Sequence, residues 1–463
     1  MTQQRGQWSG RLGFILAAAG SAIGLGNLWK FPYIAYENQG GAFVIVYIGA
    51  VALVGLPIML AEIVLGRRSQ RNPVGAFMLL GENRPGGSLW TGIGVLGVIA
   101  GFVILSYYCV IAGWTLRYIL MAVGGQLGDL AGTADGLEEY FGGFLASGPQ
   151  QTLWYTAFMA MTVGVVFFGV QRGIERVAKV LVPALFAILI ALAIYATTTD
   201  GFGRAMTFLF RPNFHDLSRG AVLEALGHSF FTLSLGMGAM LTYGSYMRRQ
   251  DSIPRAALTI CMLDTLIALL ACVIMFSIIF SFDLEVRKSS TILFTTLPLV
   301  FFKLPGGSLI SAFFYLLVAL AALTSTISLL EVVASFAIDQ LRWTRRQAVL
   351  TMGGAIYVFG VLSAWSFGGS PALTEINLIG RASTAGVFGT LDYLASNWFL
   401  PVGGLLIALF TGWVLLGRDA RQELEQGHGP FGLFAGWQVL VRFVAPLVVG
   451  AIIVSVILGA EYQ

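Results

Sequence analysis

The sequence predicts an all-α protein that lies almost wholly in a membrane as one domain of about eleven spanning helices. Three observations predict it. The chain of 463 residues is 57% hydrophobic and only 11% charged, with a mean hydropathy of +0.81, which a water-soluble surface does not tolerate. Apolar stretches recur at the roughly 20-residue length that crosses a bilayer as a helix. Arginine and lysine gather in alternate loops between them.

Taken in order, the spans fall at 11–34, 41–67, 89–123, 151–169, 174–198, 221–247, 254–283, 306–341, 346–364, 387–415 and 434–459. The basic groups are Arg5 and Arg11; Arg67, Arg68, Arg71 and Arg84; Arg172, Arg176 and Lys179; Arg248, Arg249 and Arg255; Arg342, Arg345 and Arg346; and Arg418 and Arg421. This asymmetry predicts a cytoplasmic amino terminus. The loop 124–150 carries Asp129, Asp135, Glu138 and Glu139 without a lysine or arginine, as an outer loop should, whereas 199–219 and 283–303 are mixed. An odd span count puts the end Glu461-Tyr462-Gln463 outside. No cleavable leader is expected, because the first span is too long and too irregular for a signal core.

Other function classes find little support. The net charge of +4 is explained by basic loops on one membrane face, and no nucleic-acid motif occurs. Cys109, Cys261 and Cys272 lie in or beside apolar helices, odd in number and without paired spacing, so they read as packing residues. The histidines His215, His228 and His428 are far apart, and no nucleophile, base or metal-ligand spacing joins them to the intramembrane acids, so an enzyme is not expected. A channel or a nontransporting sensor remains open on polarity alone.

The most irregular span is the first. Between Gly20 and Lys30 it reads Gly-Ser-Ala-Ile-Gly-Leu-Gly-Asn-Leu-Trp-Lys, three glycines and an asparagine at mid-membrane. Bare peptide groups are not tolerated in hydrocarbon, so such a break must face protein or a ligand. A second break is expected at Leu235-Gly236-Met237-Gly238. Paired breaks at matching positions point to a transporter's binding site, because half-helix ends offer dipoles and free backbone groups. The matching breaks divide the chain into a first five-helix repeat at 11–198 and a second at 221–415, of opposite sense because each has an odd number of spans. Helix eleven, 434–459, is an accessory. Gly173 and Pro183 bracket a stretch near the start of the fifth span that either unwinds easily or simply tolerates a proline in its first turns.

Among mid-helix polar groups, Asn27, Thr232, Asp264, Thr324 and Ser325 all offer oxygen, and unwound backbone at Gly20, Ala22 and Ile23 would add carbonyls. This is a donor set for a hard cation such as sodium. Thr324 and Ser325 have an alternative in bonding back to carbonyls one turn earlier. Asp264 has none so cheap, since a carboxylate in an apolar helix costs several kcal/mol unless it meets a cation. Glu62 and Glu331 are either functional or satisfy bare amides of a broken neighbour.

The run from Arg11 through Gly-Ser-Ala-Ile-Gly-Leu-Gly-Asn-Leu-Trp-Lys-Phe-Pro, Phe-Phe-Thr-Leu-Ser-Leu-Gly-Met-Gly from Phe230, and Ala-Leu-Thr-Ser-Thr-Ile-Ser from Ala322 resemble the neurotransmitter:sodium symporter family. The nearest likeness is to its bacterial leucine-transporter-like branch of multi-hydrophobic amino acid transporters, over essentially the whole chain. The resemblance implies the leucine-transporter-type inverted repeat with broken helices 1 and 6, and sodium-coupled import of a neutral hydrophobic L-amino acid across a bacterial inner membrane. It implies two sodium sites. The first would use Ala22, Asn27, Thr232 and Asp264 with the substrate carboxylate; the second Gly20, Ile23, Ala321, Thr324 and Ser325.

Asp264 stands where the family more often has asparagine, and Ala268 where other members have serine or glutamate. Transport is therefore expected to be chloride-independent, with Asp264 supplying the negative charge. Gly24 takes the place of the aspartate of monoamine carriers and leaves room for a substrate carboxylate near the amides of Gly24 and Gly26 and the hydroxyl of Tyr108. The ammonium would face carbonyls around Ala22, Phe231, Thr232 and Ser234, with Ser21 also in the substrate site. Ile104, Phe231, Met237, Ser325, Ser328 and Leu329 would line the side-chain pocket, with the flexible thioether of Met237 yielding to larger groups. Lys30 with Asp392 matches an outer gate, and Arg5 with Asp339, near Trp8, Ser245 and Tyr246, an inner one. His228 would tune the outer gate. Which hydrophobic side chain is preferred, and the oligomeric state, are left open.

Overall fold

The computed structural model describes residues 6–132, 135–215, 217–282, 292–381 and 384–460. Among these residues the chain is helical throughout, without a β-strand. The first span is two helices, α1 (Arg11–Ala22) and α2 (Gly26–Glu37), bent by 49°. Next come α3 (Gly41–Ser69), α4 (Gly87–Val123), α5 (Gly148–Phe167) and α6 (Val170–Ala196). The sixth span is again two pieces, α7 (Arg219–Thr232) and α8 (Ala239–Gly244). Helices α9 (Ile253–Phe280), α10 (Gly307–Gln340), α11 (Arg345–Trp365), α12 (Gly386–Val414) and α13 (Phe434–Ile457) complete the bundle.

Among the described residues, eight unbroken helices and the bent pair α1/α2 are long and apolar enough to cross a membrane, nine of the eleven expected spans. The other two expected spans are α5 and the interrupted pair α7/α8. The connections between the spans are themselves partly helical. They carry short helices at Gln126–Ala131, Gly136–Ala146, Phe202–Phe210, Leu297–Phe301 and Gly417–Glu425.

Four helices widen by one residue just before a proline. The amides of Phe31, Leu56, Leu400 and Ala445 each bond the carbonyl five residues back, at Gly26, Val51, Ala395 and Leu440, and each is followed by Pro32, Pro57, Pro401 or Pro446. The cause is local. Proline has no amide for the carbonyl four residues back and its ring presses against that carbonyl, so the preceding turn opens.

Helix α10 runs through the centre, its most apolar stretch 89% buried, and packs along α4. Helices α6 and α13 stand at the rim and turn Val180, Leu447, Val454 and Ile457 outward, an apolar surface that matches lipid rather than water. Close approaches rely on glycine. A Cβ at Gly66 of α3 would lie 2.0 Å from the Leu241 carbonyl of α8, and one at Gly244 3.0 Å from the Ile63 backbone. Small residues let membrane helices meet at backbone distance, where dispersion replaces the missing hydrophobic drive.

Gly173 has a similar reason. Its Cβ would fall 2.1 Å from the Val165 carbonyl of α5, and α6 is wound throughout 174–182. Close packing therefore requires this glycine, a role beyond the two possibilities that the sequence left open for the stretch it begins. The three cysteines are free and buried.

Candidate functional site

The first break holds three residues. Ile23 turns extended, with ψ 109, which ends α1, and α2 starts again at Gly26. The peptide groups freed here find partners of known origin. Gly24 N donates to Asn27 Oδ1 at 3.0 Å, and Leu25 N donates to Tyr108 Oη of α4 at 2.9 Å. A Cβ on Gly24 would sit 2.7 Å from both Ser325 Oγ and Tyr108 Oη, and one on Gly26 3.1 Å from the Phe231 ring. A side chain at Gly24 would have to displace both hydroxyls, and one at Gly26 would press on the ring.

Asn27 also reaches α9. Its Nδ2 donates to Asp264 Oδ1 at 2.8 Å, Thr232 Oγ1 donates to the same oxygen at 3.0 Å, and Tyr47 Oη donates to Oδ2 at 3.2 Å. Asp264 is wholly buried, and all three donors are neutral. Neutral donors orient the carboxylate but leave its charge, which in a medium this dry is best balanced by a cation. Tyr47 was not anticipated, since a tyrosine in an apolar span gives no sign of which helix it faces.

The second break is longer and uses residues with positive φ: Ser234 at 54°, Gly236 at 83° and Gly238 at 74°. Glu62 of α3 is its cap, accepting from Gly236 N at 2.8 Å and Leu241 N at 3.3 Å. Of the two roles left open for Glu62, it takes the amide-satisfying one. The two breaks touch where Ser234 Oγ donates to the Ser21 carbonyl at 2.9 Å.

Between the breaks lies a cavity lined by Ser21, Ala22, Gly24, Gly26, Ile104, Tyr108, Phe231, Thr232, Ser234, Met237, Ser325, Leu329 and Leu400. Two differences from the expected lining stand out. Ser328 is not on the wall, because it is turned behind it, its Oγ donating to the Ser325 carbonyl at 2.8 Å and accepting from Ser21 Oγ at 2.7 Å. Leu400 of α12 is on the wall and was not foreseen. The lining combines backbone and hydroxyls of the broken helices with the apolar side chains of Ile104, Met237, Leu329 and Leu400.

The expected second ion set also converges. Ser325 Oγ lies 3.2 Å from the Ser21 carbonyl, 3.3 Å from that of Ile23 and 3.3 Å from that of Ala321, while Thr324 Oγ1 donates to the Ala321 carbonyl at 2.9 Å. A Cβ on Gly20 would lie 3.1 Å from Thr324 Cβ and 3.0 Å from Val182 of α6. The hydroxyls bond back one turn and also face the first break, so the two sequence readings coexist. Among the described residues no group of three His, Cys, Asp or Glu side chains forms, so oxygen from backbone and hydroxyls is the chemistry on offer.

The gate residues divide. Lys30 does not pair with Asp392 within 4.0 Å. Its Nζ instead lies 4.7 Å from the Phe231 ring centroid, and Asp392 is near Ser396 Oγ at 3.4 Å. Lysine is long enough to snorkel over an apolar wall, and the ring face attracts it. His228 is buried and stacked on Phe31 at 5.5 Å, with neither ring nitrogen hydrogen-bonded among the described residues, so it forms part of an aromatic wall rather than a gate contact.

At the opposite end Trp8 is buried, its backbone amide donating to the Tyr246 carbonyl at 3.0 Å and its indole to the Tyr243 carbonyl at 2.9 Å. Tyr246 Oη donates to Glu331 at 2.6 Å, and Glu331 holds Arg345 through two nitrogens at 2.6 and 2.8 Å. Asp339 accepts from Asn72 N at 2.9 Å and Asn72 Nδ2 at 3.0 Å, and Ser245 Oγ turns to the Thr242 carbonyl at 2.6 Å. Arg5 lies outside the described residues.

Comparison with known proteins agrees with this geometry. The profile of the Sodium:neurotransmitter symporter family matches residues 5–130 and 145–461. The chain is 37% identical to the sodium-dependent transporter YhdH of Bacillus subtilis (strain 168) over 456 residues, 97% of each chain. It is 31% identical to a sodium-dependent transporter of Haemophilus influenzae over 459 residues, 98% of each. The crystal structure of MhsT in complex with L-phenylalanine superposes with a TM-score of 0.88 at 41% identity, covering 97% of this chain and 99% of that one. With its two broken spans, buried carboxylate and leucine-transporter-type architecture, the chain belongs to the sodium:neurotransmitter symporter family.

Proposed function

We propose that the protein is a sodium-coupled symporter that carries a neutral hydrophobic L-amino acid into a bacterial cell without chloride. One observation carries the reading: a cavity between the two breaks, lined by broken-helix backbone, hydroxyls and apolar side chains, with an acid balanced only by neutral donors beside it. The substrate carboxylate would sit at Gly24, within reach of the amides there and of Tyr108, and the ammonium among the carbonyls around Ser21, Ala22, Phe231 and Thr232. The uncharged side chains of the lining favour an aliphatic or aromatic side chain. MhsT, 41% identical, is known in complex with L-phenylalanine, which supports that class.

Two sodium ions would be co-substrates. The first would bind between Asp264, Asn27, Thr232 and the Ala22 carbonyl and share its shell with the substrate carboxylate. The second would bind among Gly20, Ile23, Ala321, Thr324 and Ser325, whose hydroxyls would turn from donating to carbonyls to offering lone pairs. Coupling follows from the shared shell. An anion beside the first ion raises its affinity, and by linkage the ion raises the substrate's affinity by the same factor.

In this reading the amino terminus is cytoplasmic, on the basic-loop face, and Trp8, Tyr246 and the Glu331–Arg345 pair close the inner path. The repeats are 11–198 and 221–415, with 434–459 as an accessory. The test is a thermal-shift screen of all proteinogenic amino acids in sodium and in potassium. Ligand at about 100 times its Kd adds about 2.7 kcal/mol to stability. Stabilisation by leucine-, phenylalanine- or tryptophan-like side chains in sodium alone is expected; stabilisation by charged amino acids, or equally in potassium, would overturn the reading. Thr324→Ala with Ser325→Ala is expected to blunt the sodium response, and an untouched response would mean that the second ion binds elsewhere.

A further inference from the structure

Leu400 is the one cavity-lining residue contributed by α12, and several backbone contacts fix it there. Its carbonyl lies where a Cβ on Gly236 would approach to 2.3 Å. A Cβ on Gly403 would fall 2.1 Å from the Gly236 carbonyl, and one on Gly404 2.2 Å from the Phe230 ring. Helix α12 therefore lies against the second break at backbone distance, which fixes how near Leu400 comes to it. The widened turn Ala395–Phe399 and Pro401 flank Leu400 and set the angle at which it enters the wall. Met237, in contrast, sits between two glycines of positive φ and ends in an unbranched thioether. Met237 can yield, whereas the backbone that carries Leu400 is held.

We propose that Leu400 is a specificity-determining residue, the fixed stop that limits how large a substrate side chain the cavity accepts. The proposal rests on the functional reading above, because it assumes an amino-acid side chain beside Leu400. A γ-branched leucine held by backbone contacts sets a volume, and a methylene gained or lost in such a pocket is worth about tenfold or more in discrimination.

The experiment is sodium-dependent competition binding with the full-length protein, using labelled L-leucine displaced by L-tryptophan, L-phenylalanine and L-valine. Leu400→Ala is expected to raise tryptophan affinity relative to valine by about tenfold or more, and Leu400→Phe to lower it by a similar factor. Leu400→Val reads the same direction with a smaller shift should the alanine variant fail to fold. A tryptophan-to-valine ratio within twofold of wild type in the folded variants would overturn the proposal while leaving the functional reading intact. Absence of sodium-dependent binding of every neutral amino acid to the wild type would overturn that reading, and the proposal with it.

Discussion

The two interruptions solve the same problem by different means. The first, residues 23–25, is short, and its peptide groups are satisfied at close range by Asn27, two positions past its end, and by Tyr108. The second, residues 233–238, is twice as long, relies on positive φ at Ser234, Gly236 and Gly238, and borrows its cap from Glu62 on another helix. A short break pinned by its own side chain holds carbonyls at fixed separations, which suits a small ion and a carboxylate. A longer break turned by residues of positive φ puts an unbranched thioether, Met237, on the cavity wall, which suits side chains of varying size. In the proposed function the rigid first break would set the charge chemistry, and the pliant Met237 on the second the breadth of substrates.

The comparison can be broken most severely at its rigid end. Gly24→Asp brings a side chain into 2.7 Å contact with Ser325 and Tyr108 and a negative charge to the carboxylate position, so amino-acid binding should fall by more than about 100-fold. Retained affinity in a ligand-binding assay would place the carboxylate elsewhere.

Asp264→Asn comes next. Losing the one formal charge among Asn27, Thr232 and Tyr47 should raise the sodium concentration for half-maximal binding by about tenfold or more, or introduce a chloride requirement. An unchanged sodium titration in chloride-free buffer would remove this account of the residue.

Glu62→Gln tests the pliant end. Two amides would face a side chain that accepts through only one oxygen, so stability should drop by about 1–3 kcal/mol in detergent unfolding, with sodium affinity nearly unchanged. An equal loss in sodium affinity would show that the two breaks are not separable.

The smallest effect is expected from Gly238→Ala. Its φ of 74° costs an L-residue about 1 kcal/mol and the Cβ meets the Pro73 ring at 2.8 Å. The order of substrate preference should shift by only a few-fold while sodium dependence stays the same.

What could be read from sequence followed from where physics is unforgiving. Glycines and an asparagine at mid-span cannot be ordinary in hydrocarbon, so Gly24, Gly26 and Asn27 announced the first break, and a lone acid in an apolar helix announced Asp264. Leu400 and Tyr47 announced nothing. An apolar or aromatic residue in an apolar helix reads the same whether it faces lipid, a neighbour or a cavity, and the widened turn before Pro401 shifts the phase from which one would count.

Ser328 was misplaced for a related reason. Three residues from Ser325 is close to one helical turn but rotated enough to put the hydroxyl behind the wall. Lys30 and Asp392 could be matched through the resemblance, but pairing is a matter of reach, and the ammonium lies over the Phe231 ring instead of within 4.0 Å of the carboxylate. Gly173 shows the converse, a residue rightly noticed for a propensity that turned out to serve close packing on Val165.

The central claim is that the first break and Asp264 together bind sodium beside a zwitterion. Its most direct test is equilibrium binding of labelled L-phenylalanine to the purified protein, titrated with sodium in chloride-free buffer and repeated with potassium. The account predicts binding that rises steeply with sodium, with a coefficient approaching two, and none in potassium. Equal binding in the two salts would contradict it.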